Sequence, residues 1–462
     1  MKKTVLINVV GLTSRLIGTN TPFLERWLNK VKLKTIEPVL PAVTCSAQAT
    51  YLTGKWPAEH GIVGNGWYFE EECEVKFWRQ SNKLVQAPKI WELLKEEDPS
   101  FTCANLFWWY NMYSSVDFSI TPRPNYLADG RKIPDIYTHP ADLRDSLQGK
   151  LGQFPLFNFW GPKTSIKSSS WIADAAKEVD TKYQPTLTLI YLPHLDYNLQ
   201  RHGIDFEKIS DDLREIDLVL EDLITFYEKR ETEVMLISEY GITDVNQAIS
   251  LNRVLRKAGL ITIREERGRE LLDAGASRAF AVADHQVAHI YVKNREDIQG
   301  VKNILSSVQG IQMVLDGEDK AQYQLNHPRS GDLIAVADKN TWFSYYYWLE
   351  DAKAPDFART VDIHRKPGYD PVEMVLNPEI KFPLLTVGYK LLKKKLGFRT
   401  LMDVIPLNDR LIKGSHGRIP ESQEDWPILA GSVLNASEQL HENTALKADQ
   451  IFQLLLKYIK AK

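Results

Sequence analysis

The sequence predicts an α/β fold in which a mostly parallel central sheet is covered by helices on both faces. Three apolar runs, residues 4–12, 185–193 and 232–241, are each followed by a polar or glycine turn and then by a stretch with helical periodicity. Continuous apolar strands that alternate with helices are typical of parallel sheets buried on both faces. The length of 462 residues, with 44% hydrophobic and 25% charged residues, suits one large globular α/β domain, 1–462.

The elements follow one another in a regular order. The run "TVLINVVGL" precedes the helical stretch "TPFLERWLNKV", "PTLTLIYLP" precedes "DLREIDLVLEDLITFYEKR", and "TEVMLISEYG" precedes "NQAISLNRVLRKAGL". In such sheets the working residues lie just past the carboxyl ends of the strands. Attention therefore falls on residues 10–12, 194–196 and 238–241.

Two segments depart from this pattern. Residues 66–180 are rich in Trp, Phe, Tyr and Pro at irregular spacing, which indicates either an inserted cap that carries a pocket or an aromatic core under long loops. Residues 277–349 alternate between apolar and polar residues, which predicts antiparallel strands. The stretch "YKLLKKKLGF" (389–398) is a basic helical patch. We favour a solvated helix face for it, and membrane docking is the alternative.

Charge and cysteine content limit the partners and the compartment. The net charge of −3 offers no basic surplus for nucleic acid. Three cysteines without a paired spacing favour a reducing compartment. We interpret the N-terminal apolar run as the first strand rather than a signal peptide, and no apolar run reaches the roughly 20 residues that a membrane span needs. We therefore expect a cytoplasmic protein without a transmembrane segment.

The stretch "PAVTCSAQATYLTGKWPAEHGIVGN" (41–65) places Thr44, Cys45 and Ser46 at the start of a short helix. A hydroxyl there can be a nucleophile next to the helix N-terminus or an ordinary N-cap. A thiol there can have a lowered pKa, but for Cys45 we favour a packed small residue. His60 follows Pro57 at a turn, and we expect it to be structural.

This stretch and four later segments of the chain form a longer motif. They form the frame P-x-x-T, then T-G, then P-x-x-H-G-I-x-G-N, followed by "FPLFNFWGP" (154–162), "YLPHLDYNLQRHG" (191–203), "LISEYGI" (236–242) and "GSHGR" (414–418). Together they resemble the nucleotide pyrophosphatase/phosphodiesterase branch of the alkaline phosphatase superfamily, from residue 4 to about 432. The resemblance implies an alkaline-phosphatase-like fold and two-metal phosphoryl transfer. Thr44 would be the nucleophile, and Asn65 would contact the phosphate.

The ligands of the metal that would activate Thr44 are altered. The family's first aspartate falls on Val10, which cannot bind a metal. Its Asp-His pair falls on Glu239 and Tyr240. Glutamate can be a ligand, whereas a neutral phenol with a pKa near 10 is a poor one. Val10 and Tyr240 are therefore expected to line the pocket.

The second metal position is better preserved. Asp196 and His416 keep their matches, and Gln200 stands where the family has a histidine. The remnant formed by Asp196, Gln200, Glu239 and His416 is rich in oxygen ligands, so it suits Mg²⁺ or Mn²⁺ as well as Zn²⁺. We expect one or two divalent ions. Among the remaining histidines, His285 is the best additional pocket candidate, because it follows Asp284 at the end of an apolar run.

The function predicted from these features is a metal-assisted phosphohydrolase that acts on a phosphorylated small molecule through Thr44. A non-catalytic or metal-poor relative that binds a phosphorylated ligand or a protein partner is the alternative, supported by Val10, Gln200 and Tyr240. In a metal-poor enzyme, Tyr240 or a histidine would act as the acid or base. Nothing in the sequence indicates the substrate or the oligomeric state.

Overall fold

The structure is a computed structural model that describes residues 1–434 and 444–461. Fourteen α-helices are present in this part of the chain. They are α1 (Pro22–Leu28), α2 (Thr44–Thr53), α3 (Pro57–His60), α4 (Ile90–Glu97), α5 (Asp142–Leu151), α6 (Leu156–Phe159), α7 (Lys167–Tyr183), α8 (His194–His202), α9 (Phe206–Glu228), α10 (Leu251–Lys257), α11 (Ile298–Ser306), α12 (Gly317–Gln322), α13 (Pro383–Lys395) and α14 (Gln450–Lys460).

The same residues form twenty-three strands, several of them only two residues long. They are β1 (Thr4–Val9), β2 (Lys32–Glu37), β3 (Gly66–Phe69), β4 (Glu74–Phe77), β5 (Cys103–Leu106), β6 (Phe118–Pro122), β7 (Asn125–Tyr126), β8 (Lys132–Ile133), β9 (Ile136–His139), β10 (Leu187–Leu192), β11 (Glu233–Ile237), β12 (Thr243–Asp244), β13 (Gln247–Ser250), β14 (Thr262–Glu266), β15 (Arg269–Asp273), β16 (Ala279–Asp284), β17 (Val287–Val292), β18 (Ile311–Leu315), β19 (Leu333–Ala337), β20 (Thr341–Ser344), β21 (Gly414–Ser415), β22 (Ile428–Gly431) and β23 (Leu446–Lys447).

A nine-stranded sheet forms the centre of the molecule, in the order β23-β2-β22-β11-β1-β10-β5-β6-β9. Five neighbouring pairs are parallel, and three pairs, each involving β22 or β9, are antiparallel. The predicted α/β class with a mostly parallel central sheet is therefore confirmed. The contiguous parallel strands of the sheet are β11, β1, β10, β5 and β6.

The three central strands are those predicted from apolar runs. All six residues of β1 and of β10 are buried, as expected for strands covered on both faces. Asn8 is in register with Tyr191 of β10 and with Ile237 of β11. The three strands therefore end side by side, and the residues that follow them converge at one edge of the sheet.

Two groups of helices pack against this sheet. In one group α7, α8 and α1 contact α9, and in the other α14 contacts α2 and α4. The helix α9 buries residues at helical spacing, among them Ile209, Leu213, Ile216, Leu220 and Leu223. Its N-cap Asp205 accepts a hydrogen bond of 3.2 Å from the backbone N–H of Glu207, which satisfies a donor of the first turn.

A second sheet, in the order β16-β17-β19-β18, is antiparallel throughout. It confirms the antiparallel strands predicted within residues 277–349. The strand β20 from the same stretch instead pairs in parallel with β13. The segment 66–180, predicted as a candidate cap, supplies the β3–β4 hairpin and also the central-sheet strands β5, β6 and β9. Strand pairing does not define which segments fold independently, so the domain and cap assignments stay predictions.

The helix α2 begins at Thr44, as predicted, and all ten of its residues are buried. It ends at Gly54, whose φ of +65° is the left-handed conformation that favours glycine. A Cβ atom at Gly54 would lie 2.9 Å from the side chain of Phe452 on α14. Glycine therefore permits both the turn and the close packing of α2 against α14. Among the described residues, none of the helices is long and apolar enough to cross a membrane.

Candidate functional site

The predicted site residues meet at the carboxyl edge of the central sheet. Glu239 and Tyr240 follow β11, Asp196 lies in the first turn of α8 just after β10, and Thr44 opens α2. Thr44, Glu239 and Tyr240 are each at most 2% exposed, and Asp196 is 8% exposed. The fold thus brings together residues from three separate parts of the sequence in a buried site.

A chain of hydrogen bonds joins Thr44 to Asp196 through Tyr240. The Tyr240 hydroxyl donates to Asp196 Oδ1 at 3.2 Å and lies 3.3 Å from Thr44 Oγ1. Because the single phenolic proton points to Asp196, Thr44 is the donor in its contact with Tyr240. Burial raises the pKa of Tyr240 well above its usual value, so this phenol stays protonated.

Glu239 was predicted from the sequence as a metal ligand, and two amide groups contact one of its carboxylate oxygens. Asn8 Nδ2 and Gln48 Nε2 each donate to Glu239 Oε1 at 2.5 Å. Burial raises the pKa of Glu239 to about 8, and the amides of Gln48 and Asn8 oppose this shift. Within the described part of the chain, Glu239 Oε2 has no hydrogen-bond partner.

Tyr240 contacts one carboxylate oxygen of Asp196, and Gln200 contacts the other. Gln200 Nε2 donates to Asp196 Oδ2 at 2.8 Å, and the Tyr369 hydroxyl donates to Gln200 Oε1 at 3.1 Å. Burial raises the pKa of Asp196 to about 6, against the lowering effect of Gln200 and Tyr240. The carboxylate and its amide partner thus form one hydrogen-bonded unit.

Four rings are stacked beside this unit, in the order Tyr240, His416, His285 and Tyr369. Successive ring centroids are 3.6, 3.6 and 3.7 Å apart. The Tyr240 and His416 planes differ by 6°. The sequence predicted three of these residues as pocket or ligand candidates, and the structure places all three in contact. We call this set the ring stack.

The tautomer of His416 follows from one contact. His416 Nδ1 lies 2.7 Å from the carbonyl oxygen of Ala42, and a carbonyl only accepts, so Nδ1 carries the proton. Nε2 then presents a lone pair, and it has no hydrogen-bond partner among the described residues. Burial lowers the pKa of His416 to about 3. A neutral imidazole fixed through Nδ1 is the usual form of a metal-binding histidine.

Asn65 lies next to the start of α2, but its amide is engaged. Its Oδ1 accepts from the backbone N–H of Cys45 at 3.1 Å, and its Nδ2 donates to Asp284 Oδ1 at 3.1 Å. Asp284 also accepts from the backbone N–H of Asn65, and burial raises the pKa of Asp284 to about 7. Burial raises the pKa of the Cys45 thiol well above its usual value, which is the opposite of an activated thiol.

Sequence reasoning missed four residues of this site: Asn8, Gln48, Asp284 as a hydrogen-bond partner, and Tyr369. A polar residue inside the buried run "TVLINV" was the available signal for Asn8, because such a group needs a partner in the core. Val10 is fully buried in the main hydrophobic core.

The donor chemistry fits one metal position better than the other. At the position beside Thr44, Val10 and Tyr240 offer no suitable ligand. At the other position, Asp196, Gln200 and the free lone pair of His416 Nε2 are donors that a divalent ion accepts. The described residues contain one group of three His, Asp or Glu side chains with ligand atoms within 4.8 Å of one another, and it lies outside the ring stack. It is formed by His194, Asp212 and Glu215.

The His194 group is close to the site in sequence. His194 Nε2 lies 3.3 Å from Asp212 Oδ1 and 3.3 Å from Glu215 Oε2. Asn198 Nδ2 also donates to both oxygens of Asp212 at 2.8 Å. The group joins the first turn of α8, which carries Asp196, to α9. It supplies one imidazole and two carboxylates. Its histidine, His194, lies two residues before Asp196 of the pocket.

The chain matches a known protein family over most of its length. The residue pattern of the family described as type I phosphodiesterase/nucleotide pyrophosphatase matches residues 4–370. This range includes every site residue described above except His416.

Curated relatives are found in two yeasts. The chain is 26% identical over 264 residues to ectonucleotide pyrophosphatase/phosphodiesterase 2 of Saccharomyces cerevisiae, covering 53% of this chain and 48% of the relative. It is 21% identical over 223 residues to an uncharacterized pyrophosphatase/phosphodiesterase of Schizosaccharomyces pombe, covering 47% and 40%. The chain thus spans less than half the length of these relatives.

Solved structures share the fold over nearly the whole chain. Murine ectonucleotide pyrophosphatase/phosphodiesterase 5 superposes with a TM-score of 0.57 at 14% identity, covering 100% of this chain and 96% of that one. An inactive form of that murine protein in complex with AMP gives a TM-score of 0.58. Phosphonoacetate hydrolase from Sinorhizobium meliloti 1021, in complex with phosphonoformate, gives 0.61 at 13% identity, covering 99% and 96%.

Proposed function

Since the chain belongs to the type I phosphodiesterase/nucleotide pyrophosphatase family, we propose that it hydrolyses a phosphodiester or pyrophosphate bond of a phosphorylated small molecule with Thr44 as the nucleophile. The observation that supports this most directly is the chain of hydrogen bonds from Thr44 through Tyr240 to Asp196. It offers the hydroxyl proton a path to a buried carboxylate.

In the proposed reaction, Thr44 Oγ1 forms a bond to phosphorus while the bond from phosphorus to the leaving oxygen breaks. The Thr44 proton passes to the Tyr240 oxygen, and the Tyr240 proton passes to Asp196 Oδ1. Without a base or a metal, a hydroxyl is a poor nucleophile near neutral pH. Water then bonds to phosphorus and releases its proton to solvent while the bond from phosphorus to Thr44 Oγ1 breaks, and Thr44 recovers its proton from Asp196 through Tyr240. The N-terminal end of α2 favours the negative charge of the phosphate.

A divalent ion would be held by Asp196, Gln200 and His416 Nε2. When bound, it would supply positive charge to a phosphate oxygen. Zn²⁺, Mg²⁺ and Mn²⁺ all suit a mixed nitrogen and oxygen set. Asn65 would contact the phosphate by a proton of its Nδ2 group other than the one given to Asp284.

The test compares Thr44→Ala and Thr44→Ser with the parent protein on a generic aryl phosphodiester. The alanine variant is expected to lose about 10³-fold or more in kcat, and the serine variant to keep measurable activity, because nucleophile removal costs on this order. Thr53→Ala is the matched control in the same helix, where the hydroxyl donates to the carbonyl of Ala49. Equal rates for Thr44→Ala and the parent protein would remove Thr44 from the mechanism.

A second candidate is a relative that binds a phosphorylated ligand without cleaving it. It is favoured by Val10 in the core and by the burial of Thr44, Tyr240, His285 and His416, each at most 2% exposed. Calorimetric titration with AMP, the ligand of the murine neighbour, discriminates the two candidates. Binding of AMP that Thr44→Ala retains, together with no turnover of any diester or pyrophosphate offered, would establish the binding role.

For the compartment we propose the cytoplasm, because all three cysteines, Cys45, Cys73 and Cys103, are unpaired and such usage favours a reducing environment. Fractionation of the producing cells, with detection of the full chain, tests this proposal. Recovery of the protein outside the cell would contradict it.

A further inference from the structure

The helix α13 carries its apolar side chains on the outside of the molecule. None of its residues is buried. Of the seventeen large hydrophobic residues that are exposed in the described part of the chain, nine lie between Phe382 and Leu401, at 48% to 76% exposure. Single exposed apolar residues are ordinary, but a contiguous group of this kind marks an interaction surface.

The exposed residues follow helical spacing. They are Leu384, Leu385, Tyr389, Leu391, Leu392 and Leu396. At about 100° per residue, Leu385, Tyr389, Leu392 and Leu396 fall on one stripe, and Leu384 and Leu391 flank it. Phe382 and Phe398, 67% and 64% exposed, extend it at either end. We call these eight side chains the outer apolar face.

Three of the four lysines of α13 have the reverse arrangement, whereas Lys395 is exposed. Lys390 is 18% exposed and pairs with Asp403, and its Nζ also donates to the carbonyl of Leu401 at 3.1 Å. Lys393 lies over the Tyr389 ring, 4.6 Å from the centroid. Lys390, Lys393 and Lys394 are all less exposed than the leucines. In a helix that faces water, the long charged side chains would cover the outside and the leucines would pack inward.

Within residues 381–402 the charge has one sign, and Glu379 and Asp403 lie just outside this range. Residues 381–402 contain six basic residues and no acidic one. The six are Lys381, Lys390, Lys393, Lys394, Lys395 and Arg399. An apolar face bordered by basic residues is the pattern of a helix that lies in the interface of a bilayer with anionic headgroups.

We propose that α13 and its flanks dock this protein on a membrane surface that contains anionic lipids. The outer apolar face enters the boundary between headgroups and acyl chains, and the exposed basic residues Lys381, Lys395 and Arg399 contact the phosphates. The helix has 13 residues, about 20 Å at 1.5 Å per residue, so it is too short to cross the roughly 30 Å hydrocarbon core. A second copy of the chain is a poorer occupant, because a symmetric contact would bring the two basic sets together.

From the sequence we favoured a solvated face for this helix, with membrane docking as the alternative, and here we adopt the alternative. The sequence shows the basic composition of the helix, but it does not show which side of the helix faces the rest of the protein. The helix is also close to the site in sequence, since Tyr369 of the ring stack lies fourteen residues before Pro383.

The test is flotation of the full chain with vesicles of phosphatidylcholine alone and of phosphatidylcholine mixed with phosphatidylglycerol. We expect binding to the mixed vesicles at least about tenfold above binding to the neutral ones, and weaker binding at high salt. The triple variant Leu385→Ser/Leu392→Ser/Leu396→Ser is expected to lose binding by about tenfold or more. Since these leucines are 54% to 72% exposed, the variant keeps its fold, which circular dichroism checks.

Two further variants complete the design. Lys381→Gln/Lys395→Gln/Arg399→Gln is expected to lose about fivefold per charge on anionic vesicles. Leu218→Ser removes a 64% exposed leucine on α9 and is expected to bind like the parent protein. The proposal is overturned by a parent protein that floats with neither vesicle. It is equally overturned when sedimentation shows a dimer that the triple leucine variant dissociates while vesicle binding is absent.

Discussion

The imidazole ring of His416 lies face to face with the phenol ring of Tyr240, with centroids 3.6 Å apart and planes 6° apart. His285 covers the other side of the His416 ring at 3.6 Å. The imidazole is therefore accessible only along its edge. One nitrogen of that edge is fixed by Ala42, which leaves Nε2 as the single atom of His416 available for chemistry.

Removal of His416 Nε2 should remove the metal of the pocket. We expect the parent protein, dialysed against Zn²⁺ or Mn²⁺, to retain an ion that His416→Ala loses, because a three-donor site depends on each donor. Elemental analysis gives the stoichiometry. Asp212→Ala is the matched control, since it disrupts the His194 group and leaves the ring stack untouched. Loss of the ion from Asp212→Ala alone would place the metal at His194, Asp212 and Glu215.

The Tyr240 hydroxyl should matter for catalysis more than the Tyr240 ring. Tyr240→Phe keeps the ring stack but removes the contacts to Thr44 and Asp196, so kcat is expected to fall by about 10²- to 10³-fold with little change in KM. Initial rates on an aryl phosphodiester measure this effect. Tyr345→Phe removes a buried hydroxyl that has no hydrogen-bond partner in the described chain and should leave the rate unchanged. Full activity of Tyr240→Phe would exclude the proton path.

The buried His60 should make the protein sensitive to acid. Ile62 N–H donates to His60 Nδ1 at 3.0 Å, and Nε2 contacts Thr50 Oγ1 at 3.1 Å, so the ring is held neutral. Burial lowers the pKa of His60 from 6.5 to about 3. The unfolded chain therefore binds a proton below pH 6.5 that the folded chain refuses, and stability falls as the pH decreases.

Between pH 7.5 and pH 5, this one histidine is expected to cost about 2 kcal/mol, or about 2 °C in Tm for a chain of this size. His60→Asn preserves an acceptor for Ile62 N–H but does not titrate. Calorimetry at the two pH values should show a smaller decrease in Tm for His60→Asn than for the parent protein. Equal decreases would show that His60 titrates normally in the folded state.

Gly54 should tolerate no side chain. Gly54→Ala places a methyl group 2.9 Å from the Phe452 side chain at a φ of +65°, and the combination is expected to lower the free energy of unfolding by about 2 to 4 kcal/mol. Gly259→Ala is the matched control, because its φ of +74° is similar and nothing lies within 4 Å of the added methyl. Denaturant unfolding of both variants separates the steric part from the backbone part. Equal losses would mean that α14 moves away without cost.

The sequence predicted those parts of the molecule that are encoded by local periodicity. The apolar runs became β1, β10 and β11, and α2 begins at Thr44 as its motif predicted. Asp196, Glu239 and Tyr240 could be located because parallel strands end at a common edge. His285 was chosen for a different reason, because it follows an apolar run, and it lies directly after β16 in the antiparallel sheet.

The rest depends on contacts between distant segments. Tyr369 lies in an irregular stretch with no periodic signal, and it forms hydrogen bonds with the distant residues Ala283 and Gln200. Gln48 faces Glu239 from the middle of α2, 191 residues away. The outward direction of Leu385 and Leu392 was equally invisible, because the same spacing fits a helix buried on either face.

Two bonds connect the segment before α2 with the loop that carries His416. His416 Nδ1 contacts the carbonyl of Ala42, and the backbone N–H of Ala42 donates to the carbonyl of Gly417 at 2.8 Å. Ala42 and His416 are 374 residues apart in the sequence. During synthesis from the N-terminus, Ala42 and Thr44 emerge early, but the His416 imidazole that contacts Ala42 is made more than 370 residues later. The candidate site is therefore among the last parts of residues 1–462 to be assembled, and a nascent chain that stops before this loop carries Thr44 and Ala42 without His416.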